Sequence, residues 1–328
     1  MTDLTSRERV ETALKGEKPD RVPFNFWMDR RLLDRYEKKY GLYFRVDHFG
    51  GDVVESLHPL EWPRGEEIEK DGTTWVTRTV WHNEWKGVDS IAWPDPGKKE
   101  NFVLLERDLE QQPDKAIFVN VPGVLTIMHS IRAEQDLYLD FYDRPDDVLE
   151  IFSKIGTILA DYVSAVCDRF ENIAAVYVQD DVCDSTGAMF SLDTLDRFVF
   201  LANDMPIRAA LKAGKPVVYH SDGRTDPIME HLISLGVSAI NPLQPHLNDF
   251  EDFSRKYGGR IGVYGALDNC FVIPDGTPDQ VREHVLGAFQ ALGGDGGLVL
   301  SSHDISLHCP EENIEVMVKT IREECRYS

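Results

Sequence analysis

Two short polar clusters contain the residues of this chain best suited to chemistry. Residues 220–223 read His-Ser-Asp-Gly and residues 302–304 read Ser-His-Asp. Two histidines and a carboxylate can bind a divalent metal ion and leave a coordination position open. We therefore predict that His220, Asp222 and His303 are metal ligands. The same donor set also suits non-haem iron, so the residue types leave the choice of metal open.

Each cluster directly follows a short apolar run that begins at Pro or Gly, which is typical of a buried parallel strand. Runs of this kind alternate with helical periodicity along the whole chain. The predicted strands are 21–28, 52–55, 116–121, 174–179, 216–220, 237–241, 260–264 and 297–301. The pattern predicts one domain over residues 1–328, a (β/α)8 TIM barrel with an N-terminal helical extension.

Local patterns predict further elements of this fold. Thr277-Pro278-Asp279-Gln280 combines a helix cap, a first-turn proline and a capping-box glutamine, and Pro310 begins the last helix. Residues 61–106 interrupt the alternation, and within them 73–80 are rich in β-branched residues. We expect a small hairpin inserted in the second βα connection.

A TIM barrel collects its functional groups at the carboxyl ends of its strands. Polar residues follow nearly every predicted strand, although any one of them could simply cap a helix or hold a loop. Trp27 is a candidate aromatic wall of the pocket. The other candidates are Asp29, Asp180, Asp181, Asn241, Gln244 and Asp268.

Composition narrows the class of protein. With 57 acidic and 35 basic residues the net charge is −22, which disfavours nucleic acid and anionic membrane surfaces as partners. The chain has no signal-peptide pattern and no apolar stretch long enough for a membrane span, so we expect a cytoplasmic protein. Five irregularly spaced cysteines indicate reduced thiols.

The order of several motifs resembles the uroporphyrinogen decarboxylase superfamily. The opening segments 6–16 and 19–24 resemble that family's entry into the first strand. Later landmarks are His220-Ser-Asp-Gly, Tyr264-Gly-Ala-Leu-Asp, Gly276-Thr-Pro-Asp-Gln-Val and Pro310-Glu-Glu-Asn-Ile. The resemblance covers almost the whole chain and implies a barrel, in agreement with the strand pattern.

One departure separates the chain from authentic uroporphyrinogen decarboxylases. Those enzymes use an arginine-bearing segment of the form W-M-R-Q-A-G-R after the first strand to bind carboxylates. Here residues 27–33 read W-M-D-R-R-L-L, with Asp29 and Leu33 at the two arginine positions. Asp29 would repel a substrate rich in carboxylates.

The other branch resembles zinc-dependent methyltransferases that pass a methyl group between a small substrate and a corrinoid protein. Its His-x-Cys metal motif aligns with His220 and Asp222, and its last-strand ligand aligns with His303. The resemblance implies zinc as cofactor and a corrinoid protein as partner, and it is compatible with a homodimer. A carboxylate in place of the thiolate favours an oxygen-bearing, methoxylated substrate.

In this hypothesis Asp181 or Asp180 orients the substrate or moves a proton, and Asn241, Gln244 and Asp268 line the pocket. The alternatives are a metal-free lyase that acts on a carboxylated substrate, with Arg224 as its cationic clamp, and a barrel that binds ligands without catalysis.

Overall fold

Eight parallel strands form the barrel in the computed structural model, which describes residues 4–70, 73–82 and 84–327. The strands of the barrel are β1 (Phe24–Met28), β2 (Val53–Ser56), β5 (Ala116–Pro122), β6 (Ala175–Gln179), β7 (Val217–His220), β8 (Ala239–Asn241), β9 (Gly262–Leu267) and β10 (Leu298–Ile305). Their order around the barrel is β1, β10, β9, β8, β7, β6, β5 and β2. This confirms the predicted (β/α)8 fold.

The predicted hairpin is present between β2 and the next barrel strand. Its strands, β3 (Glu66–Lys70) and β4 (Thr73–Arg78), pair antiparallel. It lies outside the eight-stranded sheet. The insertion in the second βα connection is therefore confirmed.

Helices cover the outside of the barrel, as the alternating pattern predicts. Thr277 and Gln280 form the predicted capping box of α13, and α14 begins directly after Pro310. The helices are α1 (Ser6–Leu14), α2 (Arg30–Tyr40), α3 (Phe44–Asp47), α4 (Val103–Gln111), α5 (Val124–Ile131), α6 (Glu134–Asp143), α7 (Pro145–Arg169), α8 (Leu192–Thr194), α9 (Leu201–Lys212), α10 (Met229–Leu235), α11 (Phe250–Tyr257), α12 (Val272–Asp275), α13 (Pro278–Leu292) and α14 (Glu311–Glu324). A π-helical segment, Leu195–Phe200, precedes α9, and Val88–Ser90, Lys99–Phe102 and Asp226–Ile228 are short 3-10 helices.

The N-terminal extension closes one end of the barrel. Val10, Ala13 and Leu14 of α1 pack into the apolar cluster formed by inward-facing strand residues. Arg9, from the same helix, donates hydrogen bonds to Asp20 and to the fully buried Asp52. The end opposite α1, where the strands have their carboxyl ends, is left for a functional site.

Asp52 also joins the two strands that complete the barrel. Its backbone N–H donates to Phe24 O at 2.8 Å, and its carboxylate accepts from Phe24 N and Arg21. The strand predicted at 52–55 therefore begins one residue later in the structure, at Val53, because Asp52 holds the junction between β1 and β2. Arg21 likewise precedes β1, since it forms a bridge with Arg326 near the C-terminus.

The last strand is longer than predicted, and this corrects the expected position of His303. β10 continues through Ile305, so His303 lies within the strand and does not follow it. Pairing with β1 shifts in register between Phe26 and Met28, and Asp29 N–H donates to Ile305 O. These contacts keep the chain extended past the end of the apolar run.

Two remaining observations concern cysteines and membrane spans. All five cysteines are free thiols, and only Cys270 is exposed. Over the described part of the chain, no helix combines the length and apolarity that crossing a bilayer requires.

Candidate active site

The parallel register of β7 and β8 places His220 beside Asn241 inside the barrel mouth. Asn241 Nδ2 donates to the backbone oxygen of Tyr264, which directs Asn241 Oδ1 towards His220 Nδ1 at 2.6 Å. Because an amide oxygen only accepts hydrogen bonds, His220 Nδ1 must carry a hydrogen. The other ring nitrogen, Nε2, is thereby turned towards the barrel mouth, in the orientation that a metal ligand needs.

Carboxylates surround the Nε2 side of this ring. Burial opposes a charge on His220, but the hydrogen bond and charge of Asp181, with the charge of Asp222, raise its pKa to about 9. Asp181 Oδ1 lies 3.4 Å from Nε2. The position next to His220 therefore favours a positive charge.

Asp222 and His303 bring two further donor atoms to the same place. One ligand atom from each of His220, Asp222 and His303 lies within 4.8 Å of the others. The two imidazole rings stack at 5.3 Å between centroids. Asp222 Oδ1 is buried and has no hydrogen-bond partner among the described residues. An unpartnered buried carboxylate oxygen beside two imidazoles fits a bound cation, so the predicted ligand set is brought together.

Asp181 supports this group from the neighbouring strand end. Its Oδ1 accepts a hydrogen bond from the Asp222 backbone N–H at 2.8 Å as well as facing His220. Its side chain keeps 56 % of its surface exposed, so a substrate can reach it. Of the two predicted catalytic aspartates, Asp181 is the one at the cluster.

Asp180 points elsewhere and holds a helix. Its fully buried carboxylate accepts hydrogen bonds from the backbone N–H groups of Leu125 and Thr126 at the start of α5, and from Asn203 Nδ2 at 2.8 Å. Burial raises the pKa of Asp180, and these hydrogen bonds oppose that rise. The contacts are those of a helix cap supplied by another strand.

Asp29 directly follows β1, whereas Trp27 lies within that strand. Asp29 caps α2 by accepting from Arg31 N–H, and its carboxylate also pairs with the Arg31 guanidinium at 3.0 Å. Trp27 donates from Nε1 to Glu55 at 2.8 Å, and the Arg45 guanidinium lies 4.0 Å above its ring. Asp29 and Asp222 both place negative charge near Asp304. Desolvation and these two charges raise the pKa of the Asp304 carboxyl group.

The remaining candidates lie on the loops that follow β7, β8 and β9. Gln244 accepts from Gly223 N–H at 2.8 Å and so holds the 220–223 loop in place. Asp268 is buried and accepts from the N–H groups of Cys270 and Phe271. Arg224 is exposed and lines a cavity of about 300 Å³ whose lining includes none of the three predicted metal ligands.

A comparison with known protein families identifies the family of the chain. The uroporphyrinogen decarboxylase (URO-D) model matches residues 103–324, about two thirds of the chain. The chain belongs to the uroporphyrinogen decarboxylase family. No curated protein shows a significant match to it.

One solved structure agrees with the fold of this URO-D family member. A methyltransferase from Methanosarcina mazei has a TM-score of 0.76 and 16 % sequence identity, and the alignment covers 98 % of this chain and 99 % of that one. A B12-independent methionine synthase from Shewanella sp. W3-18-1 has a TM-score of 0.49 and 11 % identity over 93 % of each chain, too weak a likeness for any inference. At such identities the first likeness supports the barrel alone.

This URO-D family barrel also contains a buried polar network that the sequence analysis missed. Glu55 accepts hydrogen bonds from Trp27, Asn25, Asn120 and Tyr264, and Tyr177 O–H donates to Asn241 Oδ1 at 2.6 Å. These side chains occupy inward positions, where apolar filling is the rule. Polar residues at alternate positions of β1, β2 and β5 are the sequence pattern that could have revealed the network.

Proposed function

We propose that this protein is a metal-dependent enzyme that moves a methyl group from a small, methoxylated substrate to a corrinoid protein. The observation that carries the proposal is the group of three donor atoms within 4.8 Å, with Asp222 Oδ1 buried and unpartnered. Membership of the URO-D family and the shared barrel of the M. mazei methyltransferase support it.

His220, Asp222 and His303 would hold the metal, and zinc suits their nitrogen and oxygen donors. A zinc ion held there would supply Lewis acidity at the substrate oxygen, which keeps the electron pair of the broken O–CH3 bond while the methyl group passes to the cobalt(I) of the corrinoid. Three protein ligands leave a fourth position for the substrate.

The chain's own residues prepare this position in two ways. Asn241 keeps the His220 hydrogen on Nδ1, so that Nε2 can bind a cation. Asp181 accepts a hydrogen bond from the Asp222 backbone N–H and thereby fixes the backbone position from which the Asp222 carboxylate extends. Both contacts are present before the substrate arrives, so no free energy is needed to reorganise them during the reaction.

The negative charge at the barrel mouth influences which substrates can bind. Asp181 and Asp222 place carboxylates beside the histidines, Asp304 adds a third next to His303, and Asp29 lies near Asp304. A highly carboxylated porphyrinogen would meet like charge there, whereas a neutral methoxylated compound would not. The hard oxygen ligand from Asp222 also favours an oxygen-bearing substrate over a thiol.

The metal-free lyase is less well supported. It requires a cation beside the reacting carboxylate, and its candidate clamp, Arg224, faces a different cavity. Asp29, at a position where that branch uses arginine, is already engaged with Arg31.

The experiment is a methyl-transfer assay. Zinc-loaded protein is mixed with reduced cob(I)alamin, as a probe for the corrinoid partner, and a panel of methoxylated aromatic compounds, and methylcobalamin is followed by absorbance. We expect product with wild type and with His308→Gln, a matched exposed histidine, and none with His303→Ala. Metal-independent release of CO2 from carboxylated compounds, with no methylcobalamin, would overturn the proposal.

A further inference from the structure

A second cluster of metal-binding side chains lies at the same end of the barrel. His246, on the loop after β8, meets Asp268 and Cys270, which follow β9. One donor atom from each lies within 4.8 Å of the others. The cluster shares no residue with the group formed by His220, Asp222 and His303.

Asp268 is the fixed member of this cluster. It is only 7 % exposed, and its Oδ1 accepts from the backbone N–H groups of Cys270 and Phe271 at 2.9 and 3.0 Å. Its own N–H donates to His284 Nε2 at 2.9 Å. Among the described residues these contacts leave Asp268 Oδ2 without a hydrogen-bond partner and able to bind a ligand, on a carboxylate whose position is already set.

His246 and Cys270 supply the adjustable donors. Both are exposed, and the His246 ring packs edge-on against Phe271 at 5.5 Å between centroids. Within residues 4–70, 73–82 and 84–327, the ring contact with Phe271 is the one bonding contact of the His246 side chain, and neither ring nitrogen has a hydrogen-bond partner. The Cys270 thiol has only a long contact, 3.9 Å to Asn269 Oδ1. Little must therefore be broken for these two side chains to turn towards a common ion.

We propose that His246, Asp268 and Cys270 form a second metal site, for an ion of the zinc or cobalt(II) class. Imidazole and thiolate donors favour these ions over magnesium and calcium, which prefer oxygen ligands. An ion here ties the loop after β8 to the turn after β9, and solvent completes its coordination. The proposal does not rest on the proposed function, because the two sites have separate ligands.

Cobalt(II) distinguishes the two sites by colour. A thiolate bound to cobalt(II) gives an intense charge-transfer absorption in the near ultraviolet, and the first site has no cysteine. Cobalt(II) chloride is titrated into chelator-washed, reduced full-length protein while absorbance and bound metal are measured. We expect the charge-transfer band in wild type, in His220→Ala and in His308→Gln. We expect its loss in Cys270→Ser and a strong decrease in His246→Gln.

All of the substituted second-site residues are exposed, so these variants should keep the wild-type far-ultraviolet circular dichroism. Absence of the band at saturating cobalt in wild type would overturn the proposal. A band that persists unchanged in Cys270→Ser would overturn it too, because another cysteine would then be the ligand. One cobalt per chain with the band intact would support the second site and count against the first, so the two proposals can fail separately.

Discussion

Asn241 Oδ1 lies 2.6 Å from His220 Nδ1 and fixes which nitrogen of that ring faces the barrel mouth. The pair arises from the register of β7 and β8, in which the two residues are direct neighbours. A single hydrogen bond between adjacent strands thus connects the barrel framework to the proposed metal position. Outer contacts of this kind set both ring orientation and basicity.

Asn241→Ala should weaken zinc binding by about 10- to 100-fold, because His220 loses the acceptor that holds its tautomer. Competition against a chromophoric chelator measures the change. Asn313→Ala is the matched control, since it removes another buried asparagine, one whose side chain donates to Ile273 O and Gly276 O and not to His220. Equal losses in both variants would show that Asn241 does not act through His220.

Exchanging Asp222 should change which metals the site prefers. Asp222→Cys restores a soft thiolate, so cadmium should gain affinity relative to zinc. Asp222→Asn removes the negative charge and should weaken both ions. The ratio of the two dissociation constants, measured by competition, is the readout. An unchanged ratio in Asp222→Cys would mean that residue 222 does not contact the ion.

Asp180→Ala should lower the free energy of unfolding by about 2–4 kcal/mol, because it leaves buried donors at the start of α5 unsatisfied. Asp181→Ala, at the next position but exposed, should lower it by less than about 1 kcal/mol. Urea unfolding followed by circular dichroism measures both. Similar values for the two variants would contradict the helix-cap role of Asp180.

The pair of Arg9 and Asp20 should make stability depend on pH. Burial would raise the pKa of Asp20, but hydrogen bonds and the charge of Arg9 outweigh it and lower the pKa from 3.8. A carboxyl group whose pKa is lower in the folded than in the unfolded state stabilises the fold at pH values above its unfolded-state pKa. This contribution is lost as the pH falls through the folded-state pKa. Asp20→Asn should therefore cost about 1–3 kcal/mol at pH 6, and less below about pH 4.

Asp34→Asn provides the control for this comparison. Asp34 forms an exposed pair with Arg30, so its replacement should change the unfolding free energy by less than about 0.5 kcal/mol at every pH. A constant difference between wild type and Asp20→Asn from pH 6 to pH 3.5 would contradict the expected linkage.

The barrel was predictable because β-branched runs, proline and glycine boundaries and helix caps act locally. Thr277 and Gln280, for example, form the predicted capping box from their spacing alone. The position of His303 within β10 was not predictable from the sequence, because the extension of β10 depends on pairing with β1, about 280 residues away in sequence.

The site shows the same division. Placement near the carboxyl ends of β7 and β10 suffices to bring His220, Asp222 and His303 together, although His303 lies within its strand. It cannot separate Asp181 from Asp180, because adjacent residues leave a strand end in opposite directions, one towards the mouth and one towards α5. The strand pattern also does not reveal the role of Glu55, because its partners Asn25, Asn120 and Tyr264 come together only when the barrel closes.

The most direct test of the first metal site is the metal content of chelator-washed, zinc-reconstituted protein, in wild type and in two variants. To isolate that site, the measurement is made in a Cys270→Ser background. The account predicts about one zinc per chain, lost in both His220→Ala and His303→Ala while the circular dichroism stays unchanged. Full zinc content in either variant, or no zinc in the parent, would contradict it.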